Sequence, residues 1–556
     1  MTIVATFDQT TASSHDPDST SWRFGRSWRT VLCALVLLTW TLRLLLLFVP
    51  LMPLADELRA FEAGQQSVAT EFVTTGNWGE RWHIQEKYSM GGRILWIVSH
   101  LLWGHLTAGA SPLAVPLIAG LVAAIALWRS AARLYGDDAG LLMLTLTSLS
   151  PLFLNYSASL RGTMHSVVWL SLALLLFTGP ATSLMRWIGG GLCLGLSFTT
   201  HYGSGSSIAA LAIGLAFSIG ARMLAGRFSF RTVLKGGAGV LAAILPLALL
   251  QLWSWSGGGS YVHRLRTHEN LGFTDMGPHG LWLRKLFELD PLLLAMTILV
   301  VVLHLTDRQS VLRRWGAAAS AVAIVIVLLV SLRGAPSEAY LRLTFGVGIG
   351  AVLLLVGTRG WSSPQRHPAS AAVRDEGWIL NHEVILVTAA AAFALFTASR
   401  SLSGLARLFF PCWPVILLVL VGEMRRFTTL RLMKVIPALV MAGALCYGGG
   451  LVALYGFRTV TAAGETYAAE HPGLTRLRYS DFYSVGDRAA NFGSIARRRN
   501  HEIVILGPSA RLYPAVAYDE EEYKVDLMRE GVDRFDLQNV LKGEQLPFSE
   551  IFVLLD

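Results

Sequence analysis

Charge is what this chain has least of. Asp, Glu, Lys and Arg make up 15% of its 556 residues, against about 25% in a soluble globular chain. That shortage excludes an ordinary soluble fold. The 53% of hydrophobic residues and the mean hydropathy of +0.50 point the same way. Cysteine is scarce too. Cys33, Cys193, Cys412 and Cys446 all sit in apolar stretches without metal-ligand spacing, so they read as packing residues. Residues 456–556 contain no cysteine and no Gly-rich phosphate loop. What the chain does have is a series of apolar runs that approach the roughly 20 residues needed to span a hydrocarbon core. The composition is that of an α-helical polytopic membrane protein.

The net charge of +9 is not a nucleic-acid footprint, and no nucleic-acid partner is expected. The basic residues gather in short stretches between apolar runs. In order these are "RFGRSWR" before Val31, 129–136, 183–187, 221–235, 307–315, 358–378 and 423–434. Positive-inside places all of them in the cytoplasm. Two spans fit between each consecutive pair, and one more at about 435–455 carries the chain outward, giving roughly thirteen helices. Residues 1–29 form a disordered, basic cytoplasmic N-terminus. The run from Val31 to Val49 lacks a following small-residue cleavage site and reads as a retained helix. The transmembrane domain covers 30–455. Residues 456–556 form a small extracytoplasmic α/β domain, with strands expected at "HEIVIL" and "SEIFVLL". The expected location is the cytoplasmic (inner) membrane, with the N-terminus inside and the C-terminal domain outside.

The outer face owns the long stretch 50–111. Its segment "GGRILWIVSHLLWGHL", about 16 residues flanked by polar turns, is either a further span, which would invert everything downstream, or an interfacial helix, and the basic stretch at 129–136 argues against the span. It is expected to lie along the surface as an interfacial helix. Asp56 and Glu57 follow the first span immediately. Such acids merely end a helix on the water side, or they mark a functional site. Their company on the same face favours the second reading: Glu86 and Lys87 in the same loop, Arg161 and His165 in the next, His201 and Tyr202 in the third, and Arg407 late in the chain. Each arginine alone is better explained by headgroup contact or topology. Arg43 sits about one to two turns below the outer end of the first span. It is expected to reach toward the surface or to pair with an acid. Cations beside a carboxylate suit departure of a lipid phosphate from a sugar. They stabilise the charge of the leaving phosphate, while the carboxylate accepts the proton of an attacking hydroxyl.

In order and placement these residues resemble the polytopic GT-C glycosyltransferases, among them the protein O-mannosyltransferases and the lipid A aminoarabinose transferases. The resemblance rests on Arg43 followed by "ADELRAF", on "TTGNW" at 74–78 and on "QEKY" at 85–88. It continues through "ARLYGDDAGLLMLTLTSLSPLFLNYSASLRG", "GLCLGLSFTTHYG" and "LARLFFPCWPVILLVL". It implies a GT-C-like fold with about thirteen helices and a transferase acting on the extracytoplasmic face. The sugar would move from a polyprenyl-phosphate donor to a lipid, glycan or protein acceptor, with inversion. It casts Asp56 as the catalytic carboxylate with Glu57 in support, and Lys87 as the contact to the lipid phosphate. Arg407, His201 and Arg161 would flank the donor, with Arg43, Glu86, Tyr202 and His165 around them. No cofactor is implied, a divalent cation being left open. His83, Glu86, His165 and His201 fit no metal motif. The chain departs from the family pattern at "SMGGR" after Glu86-Lys87, where Pro-Pro is usual. A second departure is "LRGTMHS", which has no aspartate.

Two other readings stand beside this one. A transporter or flippase of lipid-linked sugars would show broken helices at corresponding positions of repeated halves, and "GLSFTTHYGSGSS" is an interrupted stretch without a clear mate. A non-catalytic envelope-glycan assembly protein would use Asp56 only to organise the outer loop.

Overall fold

The computed structural model describes residues 24–48, 99, 102, 103, 106, 113–158, 163–201, 204–224, 230–256, 290–306, 379–398, 410–424, 436, 437 and 439–451. It also describes the short segments 475–478, 503–506 and 551–553. Helix α1 (Arg26–Leu45) runs on into a 3-10 turn at Leu46–Phe48. Then come α2 (Ala114–Tyr135), α3 (Asp137–Leu149), α4 (Pro151–Ser157), α5 (Thr163–Phe177), α6 (Leu184–Thr200), α7 (Gly205–Leu224) and α8 (Phe230–Ser256). They are followed by α9 (Pro291–Thr306), α10 (His382–Ala398), a 3-10 turn at Phe410–Cys412, α11 (Trp413–Met424) and α12 (Leu439–Leu451).

Among the described residues, three helices are long and apolar enough to cross a membrane: Arg26–Phe48, α2 and the Phe230–Leu252 part of α8. Helices α3 and α4, bent by 66° at their junction, make a fourth if they are taken as one span. The molecule is an α-helical membrane protein. Its outward faces are apolar, as along α8, where Leu234, Val240, Leu241 and Leu249 are exposed. In lipid such a face needs no partner. Separately, the strands β1 (Thr475–Arg478), β2 (Ile503–Leu506) and β3 (Ile551–Val553) pair in parallel in that order. The latter two fall within the segments expected as strands.

Close crossings use small residues. Gly191 and Gly195 of α6 lie against the backbone of α8 at Gly239 and Ala243, where a side chain would collide with main-chain atoms. Without a hydrophobic drive between helices in lipid, such backbone approach and its dispersion contacts hold the pair. Helices α5 and α6 are joined by Ser166 and Ser197. Each hydroxyl bonds the other residue's carbonyl, at 3.1 and 2.9 Å.

The basic stretches are shorter as loops than the sequence suggests. Residues 129–135 are the last two turns of α2, and the connection to α3 is Gly136 alone, at φ +100°. That left-handed conformation favours glycine. Arg186 lies in the first turn of α6, and Glu423 lies inside α11. Cations near helix ends are stabilised by the terminal carbonyls, so basic residues prolong α2 rather than interrupt it. Arg133 donates to the carbonyls of Leu175 and Thr178, Arg186 to that of Leu176, and Lys235 to that of Thr182. Three basic stretches expected on one side therefore meet around the α5–α6 turn. This is the basic end. There, too, Asp138 at the start of α3 accepts from the Phe24 N–H at 2.7 Å and from Arg29 at 2.8 Å, pinning the start of α1.

Candidate functional site

At the opposite end the organising feature is the break between α3 and α4. Pro151 lacks the N–H that would bond the Thr147 carbonyl, so α3 stops. Ser150, before the proline, is extended at φ −66°, ψ 123°, the conformation that residue favours. Its hydroxyl accepts from the Phe153 N–H at 3.1 Å, capping α4. The same hydroxyl donates to Asp290 Oδ2 at 2.7 Å.

Asp290 is 1% exposed. It sits one residue before α9, with Pro291 as the first helical residue, the favoured Asp-then-Pro start. The Leu293 N–H donates to its Oδ1 at 3.3 Å. The Trp413 indole N–H, from the start of α11, donates to Oδ2 at 2.6 Å. One carboxylate thus joins the α3–α4 break, α9 and α11.

Arg43 is buried with 0% exposure. Its Nη2 donates to the orphaned Ser148 carbonyl at 2.6 Å and its Nη1 to the Ser157 hydroxyl at 3.1 Å. The guanidinium carbon lies 4.6 Å from the Trp40 ring centroid, 5.4 Å from that of Phe153 and 5.5 Å from that of Tyr447. Among the described residues it pairs with no acid, and its Nε has no hydrogen-bond partner. The expectation that Arg43 would reach the surface or meet a carboxylate is corrected. A broken helix offers free carbonyls and π faces, and these hold the cation where it lies. The Tyr447 hydroxyl donates to the Thr39 carbonyl at 2.6 Å, tying α12 back to α1.

An aromatic layer closes this end. Tyr156 stacks on Phe410 at 4.5 Å between centroids, and Phe153 lies 5.5 Å from Trp413. His165 occupies the first turn of α5, with Nε2 3.2 Å from the Ser99 hydroxyl. Ser99 belongs to the stretch expected as an interfacial helix. His201 ends α6, 4% exposed. Its N–H bonds the Ser197 carbonyl, and its own carbonyl accepts from the Ser204 N–H and hydroxyl. The Ser166–Ser197 bonds set the start of α5 beside the end of α6, so His165 and His201 share this end with Arg43. Asp56, Glu57, Glu86, Lys87, Arg161, Tyr202 and Arg407 lie outside the described residues.

The sequence reading missed Asp290. Its signal was available: an Asp-Pro pair opening the apolar run "DPLLLAMTILVVVL" is a helix start. It also missed a cluster at the basic end. His382 Nε2 lies 2.5 Å from Glu423 Oε1, and His382 Nδ1 lies 2.8 Å from the Tyr135 hydroxyl. Gly422 leaves room for both rings, since a side chain there would meet His382 and Tyr135. Chemically, the described part of the non-basic end is a scaffold. Its two fully buried charges are committed to holding helix ends. Comparison with protein-family models, with curated proteins and with solved structures gives no match.

Proposed function

We propose that this chain is an integral-membrane glycosyltransferase of the GT-C type. It moves a sugar from a polyprenyl-phosphate donor to an acceptor on the extracytoplasmic face. In this reading the basic end faces the cytoplasm, the non-basic end faces outward, and about thirteen helices cross the bilayer. Asp56 accepts the proton of the attacking hydroxyl, with Glu57 in support. Lys87, Arg161 and Arg407 receive the developing charge on the lipid phosphate.

The observation that carries the reading is the gathering of Arg43, His165 and His201 at one end, opposite the basic end. These three residues come from three separate stretches of chain, and each was singled out from the sequence for the same face. Asp290 and the Arg43-stabilised break supply a rigid floor at that end. The test is to incubate purified protein with a panel of polyprenyl-phosphate sugars and measure released lipid phosphate. Release with at least one donor, lost in Asp56→Asn at unchanged membrane level, supports the proposal. No release with any donor and acceptor contradicts it.

One observation favours a second reading, a transporter of lipid-linked sugars. The α3–α4 break carries buried Arg43 beside it, and broken helices with buried charges mark transport sites. A transporter would move labelled donor across a proteoliposome membrane without cleaving it.

A further inference from the structure

The basic end collects more positive charge than its own structure uses. Arg129 and Arg133 come from the last turns of α2, Arg186 from the first turn of α6 and Lys235 from α8. Arg133 lies within electrostatic reach of both Arg129 and Arg186. Among the described residues none of the four pairs with a carboxylate, since the ion pairs found there are Arg29–Asp138 and His382–Glu423. The carbonyls they meet, at 175, 176, 178 and 182, belong to one helix end and its turn. That end carries roughly half a negative charge. Capping the helix therefore accounts for a fraction of one cation, not for four.

The cations also keep donors in hand. Arg133 and Arg186 each use Nη1 on carbonyls, which leaves further N–H groups of the guanidinium fork. Arg129 makes no hydrogen bond among the described residues and lies against the Trp128 ring, 4.4 Å from its centroid. Trp187 stands beside Arg186 and donates its indole N–H to the Ala181 carbonyl at 3.0 Å. Next to the cations the surface turns apolar: Leu184 and Met185 are exposed, Met185 by 76%, as are Val233 and Leu234 on α8.

We infer that the surface formed by Arg129, Arg133, Arg186 and Lys235 at the α5–α6 turn binds the phosphodiester headgroup of an anionic membrane lipid. A phosphate matches the guanidinium donors, and it offsets cations that otherwise repel one another. The adjoining exposed Met185 and Leu184 fit acyl chains, which favours a lipid over a soluble phosphate. This surface lies at the end opposite the proposed transfer site and does not depend on that proposal.

The test places purified protein in nanodiscs of phosphatidylcholine with phosphatidylglycerol as the minor component, then releases it into detergent and counts retained lipids by mass spectrometry. The wild type retains phosphatidylglycerol in preference to phosphatidylcholine, and less so as salt is raised. Arg129→Gln and Arg186→Gln each weaken retention about fivefold, the equivalent of about 1 kcal/mol per cation. Arg133→Lys keeps the charge and keeps the preference. Arg129→Gln removes no backbone hydrogen bond, so thermal unfolding in phosphatidylcholine alone should match the wild type and keep the comparison on folded protein. Equal retention of the two lipids, or wild-type retention by both glutamine variants, overturns the inference. Displacement of the lipid by an equal concentration of glycerol 3-phosphate also overturns it, in favour of a soluble phosphate ligand.

Discussion

Asp290 is the residue on which most of the non-basic end depends. Its carboxylate accepts from Ser150, Trp413 and the Leu293 N–H while almost wholly buried. Removing a buried acceptor leaves each donor unsatisfied at about 1–3 kcal/mol. Asp290→Ala is therefore expected to cost about 3 kcal/mol or more, read as a lower unfolding temperature in detergent. Asp290→Asn keeps one acceptor oxygen and should fall between the two. Ser150→Ala loses the cap of α4 and one donor, and should cost about 1–2 kcal/mol. The Asp-Pro pair marked a helix start in the sequence, but nothing local says that a tryptophan 123 positions later turns back to it. Arg43 was legible as a cation within the first span, expected to reach the surface or pair with an acid. Its partners were not, because carbonyls freed at a helix break belong to no residue type.

Among elements, α11 connects the two ends. Trp413 at its start holds Asp290, and Glu423 near its other end holds His382 against Tyr135. His382→Ala removes that hydrogen bond from the buried Glu423 and should destabilise by about 1–3 kcal/mol. The double variant His382→Ala with Glu423→Ala should cost less than the sum of the two single changes, because both single changes remove the same hydrogen bond. Equal additive losses, measured by thermal unfolding of the purified variants, would show that the pair does not couple α10 and α11. The sequence placed Glu423 in a basic loop, since "EMRRFTTLRLMK" reads as uniformly polar. Glu423 instead lies within apolar α11, where its carboxylate meets a histidine from another helix. Helix existence was readable from apolar runs. Helix ends were not, because Arg133 at the close of α2 bonds to the carbonyls of Leu175 and Thr178 at the end of α5 and so remains helical.

At the scale of the molecule, the sidedness of charge was the most legible property. Stretches 129–136, 183–187 and 221–235 were assigned to one side from Lys and Arg alone, and their cations meet around one turn. The account expects that turn to face the cytoplasm. A single cysteine introduced at Thr182, which is exposed, should react with a membrane-impermeant maleimide only after cells are opened. Labelling in intact cells would invert the topology and move the proposed site to the wrong compartment. Residues that carry the chemistry of the proposal, Asp56 and Lys87 above all, were legible only as a pattern of charges after the first apolar run. Whether such charges meet depends on contacts between separated stretches of chain, and no local rule encodes it.

The most direct measurement is the time course of lipid-phosphate release from polyprenyl-phosphate sugars by purified wild-type protein and by Asp56→Asn. The wild type should release lipid phosphate steadily with at least one donor. The variant should lose about a hundredfold or more, the size of a missing general base, at equal protein level and unfolding temperature. Equal release by both proteins would contradict the proposed transfer, as would intact donor crossing the membrane with no lipid phosphate formed.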